Sequence, residues 1–305
     1  MHHYRFLEEV SLQNSWLTVG VFDGVHRGHQ EIINRLTAGA HTAGAPAVVL
    51  TFDPHPASVL GDRDIKGLTT PDERAELIGD LGVDVVITER FTRELSSVTA
   101  QDFMRRLASR LGLRRLLIGY DFALGKGREG NAARLTEIGS ELDYAVEVVP
   151  AVSDESGVVS STEIRKLVST GNVAEAARLM GRPYRLRGPV IHGDGRGKRI
   201  NVPTANIGYP REKVIPANGI YACWAYVSGR KHRAAVNIGI NPTFTPDKQT
   251  ANVEAHLLDF AGDIYNQEVH LDFAARLRDE LRFDSVEALV EQIWRDVEGT
   301  RKILT

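Results

Sequence analysis

Residues 16–29 have the sequence Trp16-Leu17-Thr18-Val19-Gly20-Val21-Phe22-Asp23-Gly24-Val25-His26-Arg27-Gly28-His29. The apolar first half, Trp16 to Phe22, predicts a buried strand, and Asp23-Gly24 predicts a turn. The chain beyond this stretch brings Ile32, Ile33 and Leu36 to one face at helical spacing. The sequence therefore predicts a strand, a turn and a helix in immediate succession.

The residues that follow repeat this alternation of strands and helices. Apolar runs predict further buried strands at Ala47 to Phe52, Val85 to Ile87 and Leu116 to Ile118. Helices are predicted from Pro71, because proline suits a first helical turn, and around Phe103 to Leu111. Alternating strands and helices predict a Rossmann-like α/β domain with a parallel sheet, and such sheets bind ligands at the carboxyl ends of their strands.

The pattern changes near residue 182. From Tyr184 onward, Gly, Pro and Asn punctuate short strand-like runs, which predicts a small antiparallel β-barrel. These runs are residues 189–192, 220–227, 234–238, 253–258 and 268–273. A terminal helix is predicted from the apolar spacing between Val286 and Val297, with Asp284 and Glu287 as a capping box. We therefore predict two domains, residues 1–182 and 183–305.

The composition is that of an ordinary globular protein, with 42% hydrophobic and 25% charged residues and a net charge of −3. No apolar run approaches the roughly 20 residues that span a bilayer, and Met1 to Val10 lacks the apolar stretch of a signal peptide. A single cysteine, Cys223, cannot form an internal disulfide. We expect a cytoplasmic protein without a membrane partner. The lack of a long basic run disfavours nucleic acid as a partner.

The histidines of the first stretch lie where a strand gives way to a helix. Backbone N–H groups and the positive end of a helix dipole point at an anion there, and His26 and His29 can donate to phosphoryl oxygens. The alternative is a tight turn with incidental surface histidines. A zinc site is weaker still, since no third ligand stands at a suitable spacing.

Three further segments follow predicted strands or open a predicted helix. They are Thr51-Phe52-Asp53-Pro54-His55-Pro56, Gly119-Tyr120-Asp121-Phe122-Ala123-Leu124-Gly125 and Ser160-Ser161-Thr162-Glu163-Ile164-Arg165. Taken singly, they are compatible with a rigid loop, a turn and an ordinary helix cap. Four such segments at one sheet edge predict a nucleotide site, in which hydroxyls, N–H groups and an arginine hold a triphosphate.

These motifs resemble the FMN adenylyltransferase module of bacterial FAD synthetases, within the nucleotidyltransferases that carry an HxGH signature. The resemblance implies catalytic roles for His26, His29 and Arg165. It implies an ATP site at Gly20, Phe22, Asp23, Gly24, His26, Gly28, His29, Ser161, Thr162 and Arg165. It implies an FMN or nucleotide site at Asp53, Pro54, His55, Gly119, Asp121 and Phe122. Leu124 departs from the family, in which a second aromatic residue is common.

The chemistry of such a module matches these residue types. The phosphate of FMN is already an anion, so its attack on the α-phosphorus of ATP needs alignment and charge stabilisation rather than a general base. Histidines, an arginine and a helix start supply both. We expect Mg²⁺ to accompany the ATP, held mainly by phosphates and water.

A second candidate site begins in the glycine-rich stretch that contains Gly193, Gly195, Gly197 and Lys198. Pro203-Thr204-Ala205-Asn206 follows it, and in an extended segment Thr204 and Asn206 point the same way and could reach one Mg²⁺. The alternatives are a flexible hairpin for the glycines and a turn for the segment after them.

The second half resembles the riboflavin kinase domain along almost its whole length. The matching segments are the glycine stretch with Pro203 to Asn206, Asn218-Gly219-Ile220-Tyr221, Asn237-Ile238-Gly239 with Pro242-Thr243-Phe244, Val253-Glu254-Ala255-His256, and Arg278 with Glu280 before Phe283. The resemblance implies that Thr204 and Asn206 bind Mg²⁺ and that Glu254 is the catalytic base. It places Gly193, Gly195, Gly197, Lys198, Pro203, Asn237 and Arg278 around the nucleotide or flavin. The alternative for Glu254 is a solvent-facing strand residue.

Two positions depart from the kinase pattern. Asn201-Val202 replaces a Gly-Phe pair, and Asn266 replaces a glycine.

Together the resemblances predict an enzyme that phosphorylates riboflavin to FMN and then adenylylates FMN to FAD. An adenylyltransferase for another acceptor, such as a pantetheine phosphate or nicotinamide mononucleotide, is disfavoured by the barrel. A flavin-binding regulator or RNA-binding protein without turnover is disfavoured by the pairs His26 with His29 and Thr204 with Asn206, and by Glu254. Small-molecule substrates are the expected partners.

Overall fold

Six strands form one sheet in the first part of a computed structural model, which describes residues 1–61, 65–154, 157–193, 202–239 and 251–305. The strands are His2–Tyr4 (β1), Ser15–Val19 (β2), Ala47–Asp53 (β3), Val85–Arg90 (β4), Leu113–Gly119 (β5) and Ala145–Val149 (β6). They pair in parallel in the order β1-β4-β3-β2-β5-β6. The chain winds from β2 to β4 on one side and then adds β5 and β6 on the other. The order therefore reverses beside β2, where such sheets bind ligands.

Helices cover both faces of this sheet. They are Arg27–Thr42 (α1), Pro56–Leu60 (α2), Pro71–Gly79 (α3), Arg93–Ser96 (α4), Ala100–Leu111 (α5) and Ala132–Leu142 (α6). In β5, Leu116 and Ile118 belong to the apolar cluster of Leu107 in α5, whereas Leu117 belongs to that of Ile33 in α1. This division follows from the alternation of side chains along a strand, and it explains why the strands are apolar on both faces.

The first strand is shorter than its apolar run predicts. β2 ends at Val19 rather than at Phe22. Phe22 and Val25 have positive φ angles of 51° and 39°, so the chain turns in the left-handed region before α1 begins. The prediction of a strand to Phe22 was wrong, because hydrophobicity reports burial and Phe22 is buried within a turn.

The second part of the chain is a closed barrel. After a two-stranded ribbon, Ser153–Asp154 (β7) with Gly157–Val158 (β8), come the helices Ser161–Ser169 (α7) and Val173–Met180 (α8). The barrel strands are Tyr184–Ile191 (β9), Ala205–Ile207 (β10), Gly219–Val227 (β11), Arg230–Gly239 (β12), Asn252–Leu257 (β13) and Glu268–Arg278 (β14). They close in the order β10-β13-β12-β11-β14-β9, and every pair is antiparallel. The predicted fold class is confirmed.

Two compact units result, Met1–Ser161 and Thr162–Thr305. In the second unit, α8 packs on β9 and β14 and buries Val173, Ala176, Leu179 and Met180. The predicted division at residue 182 stays a prediction about function.

The terminal helix, Val286–Ile303 (α9), packs on β11, β12 and β14. Its N-cap is Ser285, whose side chain accepts a hydrogen bond from the Ala288 N–H at 3.1 Å. The predicted capping box of Asp284 and Glu287 was therefore wrong by one residue. Both residues suit a helix start, so composition alone did not distinguish the two registers.

Asn266, one of the two departures from the kinase pattern, has a φ of 61°. Its N–H donates to the Val190 carbonyl at 3.0 Å, so the turn before β14 is fixed to β9. Glycine is common at a backbone position in the left-handed region, which accounts for the family glycine here. Asparagine is among the few other residues that tolerate this conformation.

We expect Asn266→Gly to leave the free energy of unfolding within about 0.5 kcal/mol of the original, since glycine adopts the same φ without a Cβ clash. Asn266→Val should lower it by about 1–2 kcal/mol. Urea unfolding followed by tryptophan fluorescence measures both changes. Equal stability of the two variants would contradict a conformational role for this position.

Candidate active sites

The loop between β2 and α1 is fixed by a buried carboxylate. Asp23 is only 2% exposed, and its carboxylate accepts hydrogen bonds from the backbone N–H groups of Leu68 and Thr69 at 2.9–3.1 Å. Gly24, with a φ of 79°, donates from its N–H to the Thr69 hydroxyl at 3.1 Å. The Asp23 side chain thus anchors the loop, and its predicted part in ATP binding stays a prediction.

This anchored loop brings the two histidines together. His26 is the N-cap residue of α1, and its ring stacks on that of His29 with centroids 3.6 Å apart and an interplanar angle of 21°. The Phe22 ring packs edge to face on the His29 ring, with centroids 5.2 Å apart. His26 is 5% exposed. Two imidazoles therefore lie fixed at the positive end of a helix, where an anion is stabilised.

The strands beside β2 bring further predicted residues to the same edge. Asp53 ends β3, is exposed, and precedes Pro54 through a cis peptide bond. His55 accepts the Ala57 N–H on its Nδ1 at 3.1 Å. Gly119 ends β5, and the exposed Asp121 follows it. Since β3 and β5 are the two neighbours of β2, their loops flank the histidine loop.

The end of the first unit reaches the histidine loop as well. The Ser161 hydroxyl donates to the Asp23 carbonyl at 2.9 Å. α7 begins at this serine and carries Thr162 and Arg165 in its first turns. Gly20 and Gly28 lie at either end of the histidine loop, and Phe122 donates its N–H to the Gly119 carbonyl. The structure therefore gathers the predicted residues up to Ser161 at one sheet edge, whereas Thr162 and Arg165 belong to the second unit.

Arg74 belongs to this edge and was missed from the sequence. It is 4% exposed on α3, and its Nη2 donates to the Phe52 carbonyl at 2.8 Å. Burial lowers the pKa of Arg74, while the carboxylates of Asp23 and Asp53 act in the opposite direction. An arginine at the fourth position of an ordinary helix gives no sequence signal, because only the tertiary fold shows that it is buried.

In the barrel, a cross-strand row carries the second site. Asn206 of β10 pairs with Glu254 of β13, which pairs with Asn237 of β12. Asn237 pairs with Ile220 of β11, and Ile220 pairs with Arg278 of β14. Directly opposed residues have Cβ atoms roughly 4.5–5.5 Å apart, so this row forms a continuous floor. Ala205 and Ala255, one position away, fill the interior instead.

Two cavities of the barrel unit have Thr204 in their linings. The helix cavity, about 310 Å³, lies between the row and α9 and is lined by Thr204, Glu254 and Arg278 from the barrel and by Leu289 and Ile293 from the helix. The loop cavity, about 450 Å³, is lined by Pro203 and Thr204 on one side and by residues 260–265 on the other. Thr204 therefore belongs to the walls of both cavities.

An ion pair fixes Arg278 in the wall of the helix cavity. Its Nε and Nη2 donate to the Asp296 carboxylate at 2.6–3.2 Å, and its Nη1 donates to the Asp279 carbonyl at 2.8 Å. Gln292 donates to the same carboxylate at 3.0 Å. The charge of Arg278 is thus balanced by a buried partner, and the guanidinium acts as a rigid donor rather than as a free cation. The predictions did not include Asp296.

The segment around Thr204 and Asn206 has the donors that Mg²⁺ prefers, a hydroxyl and an amide oxygen. The backbone of Gly193 lies against the Asn206 amide so closely that a Cβ at Gly193 would collide with it. Pro203 precedes the segment and is exposed. The residues thus fit a magnesium site. Gly195, Gly197, Lys198, Asn201 and the segment Pro242-Thr243-Phe244 lie outside the described residues.

Comparison with known proteins agrees with this geometry. The family described as FAD synthetase matches residues 8–163, and the family described as riboflavin kinase matches residues 180–304. The bifunctional riboflavin kinase/FMN adenylyltransferase of Listeria monocytogenes is 37% identical over 305 residues, covering 99% of this chain and 96% of that protein. The protein of the same name from Pseudomonas fluorescens is 37% identical over 287 residues, covering 94% and 92%.

A solved structure shares the whole fold. The crystal structure titled as a macrolide-efflux protein from Streptococcus pneumoniae is 33% identical, with a TM-score of 0.90 and 98% of each chain covered. Across the residues described here, no helix is long and apolar enough to cross a membrane. The full-length similarity to proteins with both activities leads to one conclusion. This chain belongs to the bifunctional riboflavin kinase/FMN adenylyltransferase family.

Proposed function

We propose that this chain converts riboflavin to FAD in two ATP-dependent steps, phosphorylation to FMN and adenylylation of FMN with release of pyrophosphate. The observation that carries the proposal is that two cavities share Thr204 in their linings, next to a cross-strand row that contains Glu254 and Asn206. Two substrates that exchange a phosphoryl group need adjoining cavities with a base and a metal site where they meet.

In the kinase step, riboflavin occupies the helix cavity, where Leu289 and Ile293 offer an apolar wall for a planar ring. ATP occupies the loop cavity. Glu254 accepts the proton of the 5′-hydroxyl, the freed oxygen attacks the γ-phosphorus, and ADP leaves. Thr204 and Asn206 would hold Mg²⁺, which neutralises charge on the phosphates when bound. Arg278, fixed by Asp296, orients the ring through its remaining N–H groups.

In the adenylyl step, a phosphate oxygen of FMN attacks the α-phosphorus of ATP, and pyrophosphate leaves. His26 and His29 donate to the phosphoryl oxygens as negative charge develops, and the start of α1 adds its dipole. Ser161, Thr162 and Arg165 bind the triphosphate tail. Asp53, His55, Asp121 and Phe122 surround the flavin or the adenosine from the neighbouring strand ends. Gly20, Gly24 and Gly28 let phosphates approach the backbone.

The two activities divide the chain. We assign adenylyl transfer to residues 1–182 and kinase activity to residues 183–305, in agreement with the matched ranges 8–163 and 180–304. The enzyme works on small molecules in the cytoplasm, where ATP is supplied, and nucleic acid has no part in the proposal. Cys223 is buried in the barrel, and burial raises its thiol pKa well above the usual value, so the thiol is inert.

We expect His29→Ala to lower the rate of FAD formation from FMN and ATP by about a hundredfold, because one donor to the developing phosphoryl charge is lost. FMN formation from riboflavin should be unchanged. Both rates are measured by chromatography of the flavins. His41→Ala is the matched control, since His41 lies in the last turn of the same helix and pairs with Asp84. Equal losses in both reactions would show that His29 is structural.

We expect Glu254→Gln to lower FMN formation by about a hundredfold or more, because the amide keeps the shape of the side chain and cannot accept a proton. FAD formation from added FMN should hardly change. The control is Glu268→Gln, an exposed glutamate on β14 of the same barrel. Kinase turnover close to that of the unaltered enzyme would show that Glu254 is a solvent-facing strand residue without a catalytic role.

A further inference from the structure

The loop that follows β13, Leu258 to Gln267, lines the loop cavity with Phe260 and Tyr265. Its beginning is attached to the barrel and to α9. Leu258 is buried in one apolar cluster with Val297 of α9, and its N–H donates to the Arg233 carbonyl at 2.8 Å. The wall of the loop cavity thus starts at a point where barrel, loop and helix meet.

An ion pair continues this attachment one residue further. Asp259 has a φ of 57°, and its two carboxylate oxygens accept hydrogen bonds from Nη1 and Nη2 of Arg301 at 2.8 and 2.7 Å. The Arg301 hydrogen bond lowers the pKa of Asp259, so the carboxylate is ionised at neutral pH. Arg301 lies in the last turn of α9. The geometry is the two-pronged form of the arginine–carboxylate pair, which fixes orientation as well as distance.

A cavity lies between the next residues of the loop and the helix. It has a volume of about 270 Å³ and is lined by Phe260 and Ala261 from the loop and by Trp294, Val297 and Arg301 from α9. Phe260 packs edge to face on His232 of β12, with ring centroids 5.1 Å apart. The ion pair therefore spans a gap that apolar side chains leave open.

The same helix forms the wall of the other cavity. Asp296, five positions before Arg301, holds Arg278 in the helix cavity. α9 therefore touches the helix cavity through one ion pair and the wall of the loop cavity through another.

We propose that Arg301 is a positioning residue for the kinase reaction. Acting through Asp259, it holds the loop in the place that a nucleotide in the loop cavity requires, and it ties that wall to the helix that encloses the flavin. The inference rests on the proposed kinase function.

The test compares full-length variants in both reactions. Arg301→Gln should raise the KM for ATP in riboflavin phosphorylation, and the Kd of Mg²⁺–ADP measured by calorimetry, by about three- to fivefold. The KM for riboflavin should stay within about twofold, and FAD formation from FMN should be unchanged. Arg301→Lys keeps the charge without the two-pronged geometry, so its KM for ATP and its Kd for Mg²⁺–ADP should lie between those of the unaltered enzyme and those of Arg301→Gln.

Asp259→Asn should repeat the Arg301→Gln result, because asparagine tolerates the left-handed backbone and lacks the charge. The double variant should be no weaker than either single variant, as expected when both changes remove one interaction. Arg295→Gln is the matched control, since it breaks the exposed Arg295–Glu291 pair on the same helix.

Three results would overturn the inference: an unaltered Mg²⁺–ADP Kd in Arg301→Gln, an equal rise in Arg295→Gln, or additive losses in the double variant. Absence of FMN formation by the unaltered chain would instead reject the proposed kinase function. Normal FMN formation with no effect at Arg301 would reject only the positioning role.

Discussion

The antiparallel register of β10 against β13 sets Ala205 opposite Ala255 and Asn206 opposite Glu254. Because side chains alternate along a strand, this pairing places the two alanines in the barrel interior and the two polar residues outside. A shift of one residue would exchange the faces, burying a carboxylate and exposing the alanines. The proposed kinase site therefore depends on a register that the core enforces, and the same register continues through Asn237 to Arg278. The positions of Asn206 and Glu254 thus follow from the packing of Ala205 and Ala255 in the barrel interior.

In the first unit, hydrogen bonds to one buried carboxylate, and not a strand register, position the candidate site residues. His26 caps α1 and His29 lies in its first turn, and a buried carboxylate rather than a strand ladder fixes the loop that precedes them. The Asp23 carboxylate accepts hydrogen bonds from the backbone N–H groups of residues 68 and 69. The backbone carbonyl of Asp23 accepts a hydrogen bond from the Ser161 hydroxyl. One residue thus joins the loop after β2, the segment before α3 and the start of α7. Burying this carboxylate is tolerated because its hydrogen bonds replace those it would make with water. The stacked imidazoles of His26 and His29 are held in place as a consequence.

Much of this could be predicted from the sequence, for a physical reason. Periodicity reports burial, so β2 to β5, five of the barrel strands and the terminal helix after the barrel were predicted, whereas β1, β6 and α6 were not. The contiguous motifs pointed to His26, His29, Thr204 and Glu254, whose roles in the two reactions stay predictions. Periodicity could not show which residues long-range pairing would bury. β10, with three residues, is too short for a pattern, and β2 ends early because Phe22 is buried in a turn. Arg74, Asp296 and the Arg301–Asp259 pair join positions far apart in the chain, so local sequence carries no trace of them.

We propose that one chain holds two separate phosphate chemistries that act in sequence on a flavin. The most direct measurement incubates the full-length chain with riboflavin, ATP and Mg²⁺ and quantifies flavins, ADP and pyrophosphate together by mass spectrometry. The kinase step releases ADP and the adenylyl step releases pyrophosphate, so we expect FMN to precede FAD, with one ADP and one pyrophosphate released for each FAD formed. FAD without a matching yield of ADP, or pyrophosphate release that does not require FMN, would contradict it.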